Sequence, residues 1–207
     1  MGKIVCIGGL KGIIYMKNIE KFYENTKNAL PHKNVKKFLE LENKAGKAIE
    51  LGCGAGRDTI CLIKNGWNVS AIDREDTKEI ISDQLNAEEL KRFRFIKQTF
   101  EKIQLEENNL VVANFSIPFC SKEYFREFWN KIVQSIHGNG YFVGNFFGPN
   151  DSWAFTREEM VFLSKEQVIA LLEPFEILKF KEIETDGKTG LEKMKHWHIF
   201  EIIAKKR

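Results

Sequence analysis

The sequence predicts an α/β fold in which helices cover both faces of a mostly parallel sheet. From residue 47 onward, short apolar runs alternate with stretches of helical periodicity, and this alternation is typical of parallel sheets packed on both sides. The last two predicted strands follow each other without a helix. They are joined by the polar segment Glu184–Lys195, so we expect them to pair antiparallel.

Each predicted strand is an apolar run bounded by polar or turn-forming residues. The strands are predicted at Lys47–Leu51, Asn68–Ile72, Arg94–Lys97, Leu110–Asn114, Tyr141–Phe147, Phe175–Ile183 and His196–Ala204. The helices between them are predicted at about Arg57–Asn65, Asp76–Leu85, Ser121–Ile136 and Ser164–Leu172. A capping box formed by Ser164 and Gln167 indicates where the last helix begins.

Two further helices are predicted before the sheet region. Apolar residues recur at helical spacing from Ile19 to Leu30 and stop at Pro31, and Asn34 can cap a second helix that ends near Gly46. We therefore divide the chain into a poorly ordered lead-in, residues 1–17, and a single domain, residues 18–207. That domain begins with the helices of residues 18–45.

The composition is that of a globular protein. Of the 207 residues, 43% are hydrophobic and 29% charged, which excludes intrinsic disorder for the chain as a whole. The net charge is +3 without a run of about five basic residues, so no nucleic-acid partner is indicated. No apolar stretch approaches the roughly 18 to 20 residues that a membrane span needs. The four cysteines form no C-x-x-C pair, which favours a reducing cytoplasm.

The most informative segment is Ala48–Asp58, AIELGCGAGRD, in which a strand runs into three alternating glycines and then a helix. Because Gly52, Gly54 and Gly56 carry no side chains, the backbone can approach a ligand at the carboxyl end of the strand. The same glycines also suit a tight turn that binds nothing. The residues around the loop therefore decide between a ligand-binding loop and a tight turn without a ligand.

Two acids near the loop favour a particular ligand. Asp73 ends the next strand, near the spacing of about 20 residues at which an acid binds the ribose hydroxyls of a nucleoside. Glu50 would repel the pyrophosphate of NAD by about 1 to 4 kcal/mol at about 4 Å, but would attract the sulfonium and ammonium groups of S-adenosylmethionine. Arg57 also stands where the dinucleotide pattern G-x-G-x-x-G needs a small residue. These residues favour S-adenosylmethionine.

The chain resembles the class I S-adenosylmethionine-dependent methyltransferases, in particular the small tellurite-resistance-type and type 11 members. The resemblance is carried by AIELGCGAGRDTICLIKNGWNVSAID, VVANFSIPFC and GYFVGNFFG, and it extends from about Tyr23 to the C-terminus. It implies a three-layer Rossmann-like sandwich whose seven-stranded sheet has an antiparallel last strand. It also implies methyl transfer to a small-molecule nucleophile, with the helices of residues 18–45 acting as a lid.

The resemblance further implies which residues bind the cofactor. Glu50 would support the amino-acid end of S-adenosylmethionine, Asp73 would bind the ribose, and Arg74 would lie near the ribose and adenine. The adenine contacts stay open, because Thr99 and Phe100 follow the third strand where the family often has an acid. The full predicted set is Glu50, Gly52, Cys53, Gly54, Gly56, Arg57, Asp73, Arg74, Thr99, Phe100, Asn114 and Phe115.

Candidate residues for binding the methyl acceptor come from the first helix, from the loop after the fifth strand and from the start of the last strand: Tyr23, Asp151, Trp153, His196 and His198. The two histidines point to the same side of a strand, but no third ligand follows at metal-site spacing, so no metal is predicted. No catalytic residue is assigned, because alignment of a good leaving group can supply much of the rate. Two alternatives are an NAD(P)-dependent oxidoreductase and a non-catalytic S-adenosylmethionine-binding protein.

Overall fold

The computed structural model describes residues 9–207, with side chains from residue 18 onward. Its strands are β1 (Lys47–Leu51), β2 (Asn68–Asp73), β3 (Phe93–Lys97), β4 (Asn108–Ala113), β5 (Ile136–Phe147), β6 (Phe175–Lys188) and β7 (Met194–Lys206). Its helices are α1 (Gly9–Thr26), α2 (Lys33–Leu41), α3 (Arg57–Lys64), α4 (Lys78–Ser82), α5 (Ala87–Leu90), α6 (Lys122–Ser135) and α7 (Lys165–Leu171). Residues 1–8 of the predicted lead-in lie outside the described residues, and residues 9–17 belong to the backbone of α1.

The strands form one sheet in the order β3-β2-β1-β4-β5-β7-β6. Strands β1 to β5 run parallel, and β7 pairs antiparallel with both β5 and β6. This arrangement confirms the predicted fold. The strand order reverses between β1 and β4, so the connections that leave these two strands diverge and open a crevice at their carboxyl ends. Ligands of open α/β sheets bind at such a point.

Two apolar layers enclose the sheet. On one face, Phe128, Trp129 and Ile132 of α6 are buried together with Val168 of α7. On the other face, α2, α3 and α4 pack through a separate set of buried side chains: Val35, Phe38, Ile60, Leu62, Ile63 and Ile81. Since both faces are covered, the two edges and the carboxyl end of the sheet remain for ligands.

The hairpin of β6 and β7 is longer than the sequence predicts. The segment Glu184–Lys195 was expected to be a polar connection, yet most of it continues the ladder, with Thr185 opposite Trp197 and Asp186 opposite His196. The prediction of a loop was wrong because polar, exposed residues also pair well in the part of a hairpin that projects beyond the sheet. The turn itself spans only residues 189–193.

The boundaries of α2 and of the helix predicted after β2 differ from the prediction. Asn34 was expected to cap α2, but the helix is capped at His32 and Asn34 is buried inside it. Its amide instead donates to the carbonyl of Gly144 at 3.3 Å and its Oδ1 accepts from Lys179 at 2.6 Å. The region predicted as Asp76–Leu85 contains the shorter helix α4, and α5 follows because Asn86 begins it with its own capping box.

Helix α1 connects the loop after β1 with the turn between β6 and β7. The side-chain amide of Asn25 donates to the carbonyl of Gly190 at 2.9 Å. A Cβ at Gly190 would lie 2.4 Å from the ring of Phe22, so the absence of a side chain lets α1 approach this turn. No helix within residues 9–207 combines the length and apolar character needed to cross a membrane.

Candidate cofactor and acceptor site

The loop after β1 is shaped by glycines in the left-handed region of backbone conformation. Gly52, Gly54 and Gly56 have φ values of 71°, 53° and 84°, which residues with side chains rarely adopt. The amides of Gly52 and Cys53 donate to the carbonyl of Ile72 at 2.8 and 3.1 Å. These bonds fasten the loop to β2, so its shape is held by the protein itself.

The three glycines face different surroundings. A Cβ at Gly52 would lie 2.5 Å from Cβ of Ser116, and a Cβ at Gly56 would lie 2.4 Å from Cγ1 of Ile81. A Cβ at Gly54 would meet its nearest neighbours at 3.9 Å, in two aromatic rings of α1. Gly52 and Gly56 are therefore needed for close packing, whereas Gly54 presents bare backbone to space that a ligand can use.

Asp73 ends β2 beside this bare backbone. Its Oδ2 accepts the N–H of Gly54 at 2.9 Å, and its Oδ1 accepts the N–H of Glu75 at 3.0 Å. Burial raises the pKa of the Asp73 carboxyl, and the two backbone hydrogen bonds oppose this rise. Each carboxylate oxygen has a further lone pair, so Asp73 can also accept hydrogen bonds from a ligand's hydroxyl groups.

Two aromatic side chains of α1 cover Gly54. The rings of Phe22 and Tyr23 each come within 3.9 Å of the Cβ position at Gly54, and they contact each other edge to face with centroids 5.7 Å apart. Burial raises the pKa of Tyr23, and the charge of Asp73 adds to the rise. Tyr23 therefore lies over the glycine loop and near Asp73.

The carboxyl of Glu50 is buried beneath the same loop. Glu50 is 5% exposed, and its Oε2 accepts the hydroxyl of Thr59 in α3. Burial raises the pKa of Glu50 well above its ordinary value, and repulsion from Asp58 raises it further. The structure thus gives Glu50 a role that the sequence did not reveal, because it anchors the first turn of α3.

A further acid, Asp58, is buried in that first turn and accepts three hydrogen bonds. They come from the backbone N–H of His32 at 2.8 Å, from Nδ1 of His32 at 2.6 Å and from Nδ2 of Asn114 at 2.8 Å. Burial alone would raise the pKa of Asp58, but the hydrogen bonds from His32 and Asn114 oppose this rise, and the pKa lies below its ordinary value. Asp58 therefore joins the α1–α2 junction to the end of β4 as an ionised carboxylate.

A cavity of about 320 Å³ lies between the α1–α2 junction and the carboxyl ends of β4 and β5. At its base, Phe115 has a left-handed φ of 54°, donates its N–H to Oδ1 of Asn145 at 2.9 Å, and stacks on His32 with ring centroids 5.1 Å apart. Backbone strain of this kind is concentrated at functional sites. The cavity is lined by Leu30, Pro31, His32, Lys33, Asn34, Arg57, Asn114, Phe115, Asn145 and Glu201.

Two buried polar atoms at the end of β4 lack a hydrogen-bond partner within the described part of the chain. They are Oδ1 of Asn114 and Oγ of Ser116, in residues that are 8% and 5% exposed. Buried polar atoms are nearly always hydrogen-bonded, so an unpaired set calls for a ligand or water. Ser116 packs against Gly52, which places these atoms at the crevice between β1 and β4.

An aromatic cluster extends from the cavity toward the loop after β5. It consists of Phe115, Phe147, Trp153 and Trp197. The ammonium of Lys195 lies 3.9 Å from the ring centroid of Trp197 and 4.1 Å from that of Trp153, and it pairs with the buried Asp151. Because ring contacts and an ion pair both stabilise this cation, Lys195 and Asp151 hold the loop after β5 onto β7.

A family model described as tellurite resistance protein TehB matches residues 14–145. This match spans the glycine loop, Asp73, Asp58, Asn114 and the strand that ends near Asn145. The chain belongs to the TehB family. The resemblance stated from the sequence motifs is thereby confirmed. No curated protein sequence matches the chain.

Solved structures similar to this TehB-family chain share its fold at low sequence identity. TehB from Haemophilus influenzae has a TM-score of 0.71 and 14% identity, over 92% of this chain and 67% of that one. A second similar structure is the 1,6-didemethyltoxoflavin-N1-methyltransferase of Burkholderia thailandensis, solved with 1,6-didemethyltoxoflavin and S-adenosylhomocysteine. It has a TM-score of 0.68 and 14% identity, over 100% of this chain and 93% of that one. The N-methyltransferase NodS from Bradyrhizobium japonicum, solved with S-adenosylhomocysteine, has a TM-score of 0.65 and 14% identity, over 92% of this chain and 97% of that one.

The remaining predicted cofactor residues are Cys53 within the glycine loop, Arg74 directly after β2, and Thr99 and Phe100 after β3. Arg74 is exposed and pairs with Glu75 at 3.7 Å. Thr99 is exposed, whereas the ring of Phe100 stacks on Phe128 with centroids 4.7 Å apart and so packs against the core. Cys53 is buried, and burial raises the pKa of its thiol well above the ordinary value. In this TehB-family chain, the ring of Phe100 therefore packs against the core, and its contact with adenine stays a prediction.

The predicted histidines bind acids of β6. His196 contacts Asp186 at 2.8 Å and Glu184 at 3.2 Å, and His198 contacts Glu182 at 3.1 Å. Residues two apart on a strand share a face, so the neighbours Lys195 and Trp197 project to the opposite side and meet the aromatic cluster. Within residues 18–207, no group of three or more His, Cys, Asp or Glu is arranged to hold a metal ion.

Sequence reasoning missed His32, Asp58 and Lys195. His32 and Asp58 are 26 residues apart, and Lys195 and Asp151 are 44 residues apart, so no spacing rule connects either pair. A weak signal was present for Asp58, because an acid in the first turn of a helix after a glycine loop is placed beside the crevice. For His32, its position directly after Pro31 identified only a helix boundary.

Proposed function

We propose that this chain transfers a methyl group from S-adenosylmethionine to a small-molecule nucleophile. The observation that carries the proposal is the bare backbone at Gly54, with the Asp73 carboxylate hydrogen-bonded beside it at the carboxyl end of β2. The fold shared with enzymes solved in complex with S-adenosylhomocysteine supports it. Membership of the TehB family supports it as well.

The residues at the crevice fit S-adenosylmethionine in their chemistry. The unpaired oxygens of Asn114 and Ser116 are suited to the donors of an ammonium group. The carboxylates of Asp58 and Asp73 lie beside the loop, and their negative charge favours a ligand carrying a sulfonium and an ammonium. A dinucleotide would instead bring a pyrophosphate close to these acids, where it would be repelled. This difference favours the methyl donor over NAD.

Each part of the cofactor has a proposed partner. Asp73 would accept the ribose hydroxyls, Arg57 would face the carboxylate of the methionine part, and Asn114 would receive its ammonium. Glu50 would act on the bound cation through the loop, because its carboxyl is buried beneath that loop. When bound, the cofactor supplies a methyl group on a positively charged sulfur that is already a good leaving group.

The chain's own residues would then orient the reactants and exclude water. Phe22 and Tyr23 of α1 cover Gly54, and the stacked pair of His32 and Phe115 forms one side of the cavity. Closing such a site removes water and aligns the reacting atoms, which together can lower a barrier by several kcal/mol. The helices of residues 18–45 are thus proposed to act as the lid.

We propose that the acceptor lies in the cavity beside Phe115. Of the predicted acceptor-binding residues, Tyr23 lies over Gly54 and Trp153 belongs to the aromatic cluster that includes Phe115. Asp151 is proposed to act indirectly, because it holds Lys195 among the rings of the aromatic cluster. His196 and His198 stay predictions, since the ring of His196 contacts acids of β6 and the ring of His198 contacts Glu182 of β6 and accepts the N–H of Asn150. The described cysteines, Cys53, Cys61 and Cys120, are free, which supports a reducing cytoplasmic location.

Transfer of a radiolabelled methyl group tests the proposal. Purified protein is incubated with S-adenosylmethionine labelled in its methyl group and with a panel of small thiols, amines, phenols and metalloid oxyanions including tellurite. We expect label in at least one small product, and none when the protein is omitted. A protein that binds the methyl donor but labels no acceptor would instead fit the non-catalytic binding alternative.

A further inference from the structure

His32 lies where an acceptor in the cavity would meet a proton-accepting nitrogen. Its ring lines the cavity, stacks on Phe115 at the end of β4 and is 16% exposed. Its Nδ1 and its backbone N–H both contact the carboxylate of Asp58, at 2.6 and 2.8 Å. These two hydrogen bonds fix both the position and the plane of the imidazole ring.

The partners of the ring also fix its tautomer. An ionised carboxylate only accepts hydrogen bonds, so the contact with Asp58 requires the proton to be on Nδ1. At the other nitrogen, Nε2 contacts Nη2 of Arg57, and a guanidinium only donates. With the proton on Nδ1, the neutral ring has its lone pair on Nε2. Asp58 is satisfied in turn, because Asn114 donates to its Oδ2.

We propose that His32 is the general base that takes the proton of the methyl acceptor, and that Asp58 is the residue that positions it. This inference rests on the proposed methyl transfer. It requires an acceptor that arrives with a proton to lose, such as a thiol or a hydroxyl. An acceptor that arrives ionised would have no use for this pair.

The step balances without any further reactant. The lone pair of the acceptor atom forms the bond to the methyl carbon, the bond between that carbon and sulfur breaks, and its electron pair stays on sulfur. The proton of the acceptor moves to Nε2 of His32, and the resulting imidazolium is stabilised by the Asp58 carboxylate. Before this, Arg57 must release Nε2, for which it has the carboxylate of the methyl donor as an alternative partner.

Other charged groups face the same space. Arg57 and Asp58 come from α3, Lys33 comes from the first turn of α2, and Glu201 of β7 lines the cavity and pairs with Lys179 at 2.8 Å. Of these, Asp58 contacts Nδ1 and Arg57 contacts Nε2. Lys33, Glu201 and Lys179 contribute charge to the surroundings of the cavity, and none of them is changed in the variants described below.

The test replaces His32 with glutamine and measures methyl transfer to 2-mercaptoethanol between pH 6 and 10. Glutamine can still donate to Asp58 but cannot take up a proton. We expect kcat at pH 7 to fall by about 30- to 300-fold, because only a small fraction of a thiol is ionised there, and the loss to shrink as pH approaches the thiol's own pKa. Asp58→Asn should lower kcat more than it changes KM.

Two controls separate a base from a structural role. His137→Gln alters an exposed histidine at the opposite end of β5 and should leave the pH profile unchanged. Calorimetry with S-adenosylhomocysteine should give His32→Gln an affinity within about threefold of the wild type. Nitrogen NMR of histidine-labelled protein should show the Nδ1–H tautomer at His32 in the wild type, and a shift of tautomer in Asp58→Asn.

The outcomes are distinct. Wild-type kinetics with the thiol in His32→Gln, or an Nε2–H tautomer in the wild type, would overturn the inference while leaving the methyl transfer intact. The inference also fails if the wild-type protein binds S-adenosylhomocysteine and methylates tellurite but not the thiol, because tellurite arrives ionised and needs no base. It fails as well if the protein binds S-adenosylhomocysteine but methylates neither acceptor. If the wild-type protein does not bind S-adenosylhomocysteine, the proposed function itself is refuted.

Discussion

Replacing Asp73 with alanine is expected to weaken S-adenosylmethionine binding by at least about 100-fold. In the proposed complex two ribose hydroxyls lose a charged acceptor, and each such hydrogen bond contributes about 1.5 to 3 kcal/mol. Since every 1.4 kcal/mol corresponds to a factor of about ten in affinity, the loss of both bonds exceeds the stated factor. The measurement is isothermal calorimetry with S-adenosylmethionine and S-adenosylhomocysteine.

Asp73 also accepts the amides of Gly54 and Glu75, so the variant must be shown to be folded. Circular dichroism and thermal unfolding provide this check, with a fall in Tm of a few degrees expected for the unpaired amides. Asp83→Ala removes an exposed acid at the end of α4 and should bind like the wild type. A folded Asp73→Ala protein with unchanged affinity would contradict the assignment of the ribose site.

Replacing Gly54 with valine should abolish detectable cofactor binding. Gly54 has a φ of 53°, which a β-branched residue adopts only with strain, and its side chain would occupy the space between the loop and the rings of Phe22 and Tyr23. Both effects remove the place where the bare backbone meets the ligand. Equilibrium binding of S-adenosylhomocysteine and the unfolding temperature are measured together.

Gly138→Ala is the matched glycine control. A Cβ at Gly138 has no neighbour within 4 Å among the residues described, so this substitution should leave both binding and stability close to the wild type. The comparison separates a local effect at the loop from a general effect of losing a glycine. Normal affinity in a folded Gly54→Val protein would mean that the ligand does not approach this loop.

The fold could be predicted from the sequence because its signals are local and repeated. The helix predicted at Ser121–Ile136 and the capping box at Ser164 both appear in the structure as expected. The glycine loop was also predictable, since strand, glycines and helix are contiguous. The extent of the β6–β7 hairpin was not, because polar residues in a projecting ladder resemble those of a loop.

The candidate site was predictable only in part, for a physical reason. Gly54 and Asp73 follow neighbouring strands of a parallel sheet, so topology alone brings them together. The contact of His32 with Asp58 depends on how the α1–α2 junction folds back over α3, and no periodicity encodes that path. The hydrogen bond from the hydroxyl of Thr59 to Glu50 could not be predicted either, because it depends on the direction of the Glu50 side chain under the loop. The role of Glu50 beside the cofactor stays a prediction.

Calorimetric titration of the wild-type protein with S-adenosylmethionine, S-adenosylhomocysteine and NAD is the most direct test of a crevice built for a cationic nucleoside without phosphate. We expect the first two ligands to bind at one site per chain in the micromolar range and NAD to give no binding heat. Binding of NAD together with failure to bind either sulfur nucleoside would contradict the account.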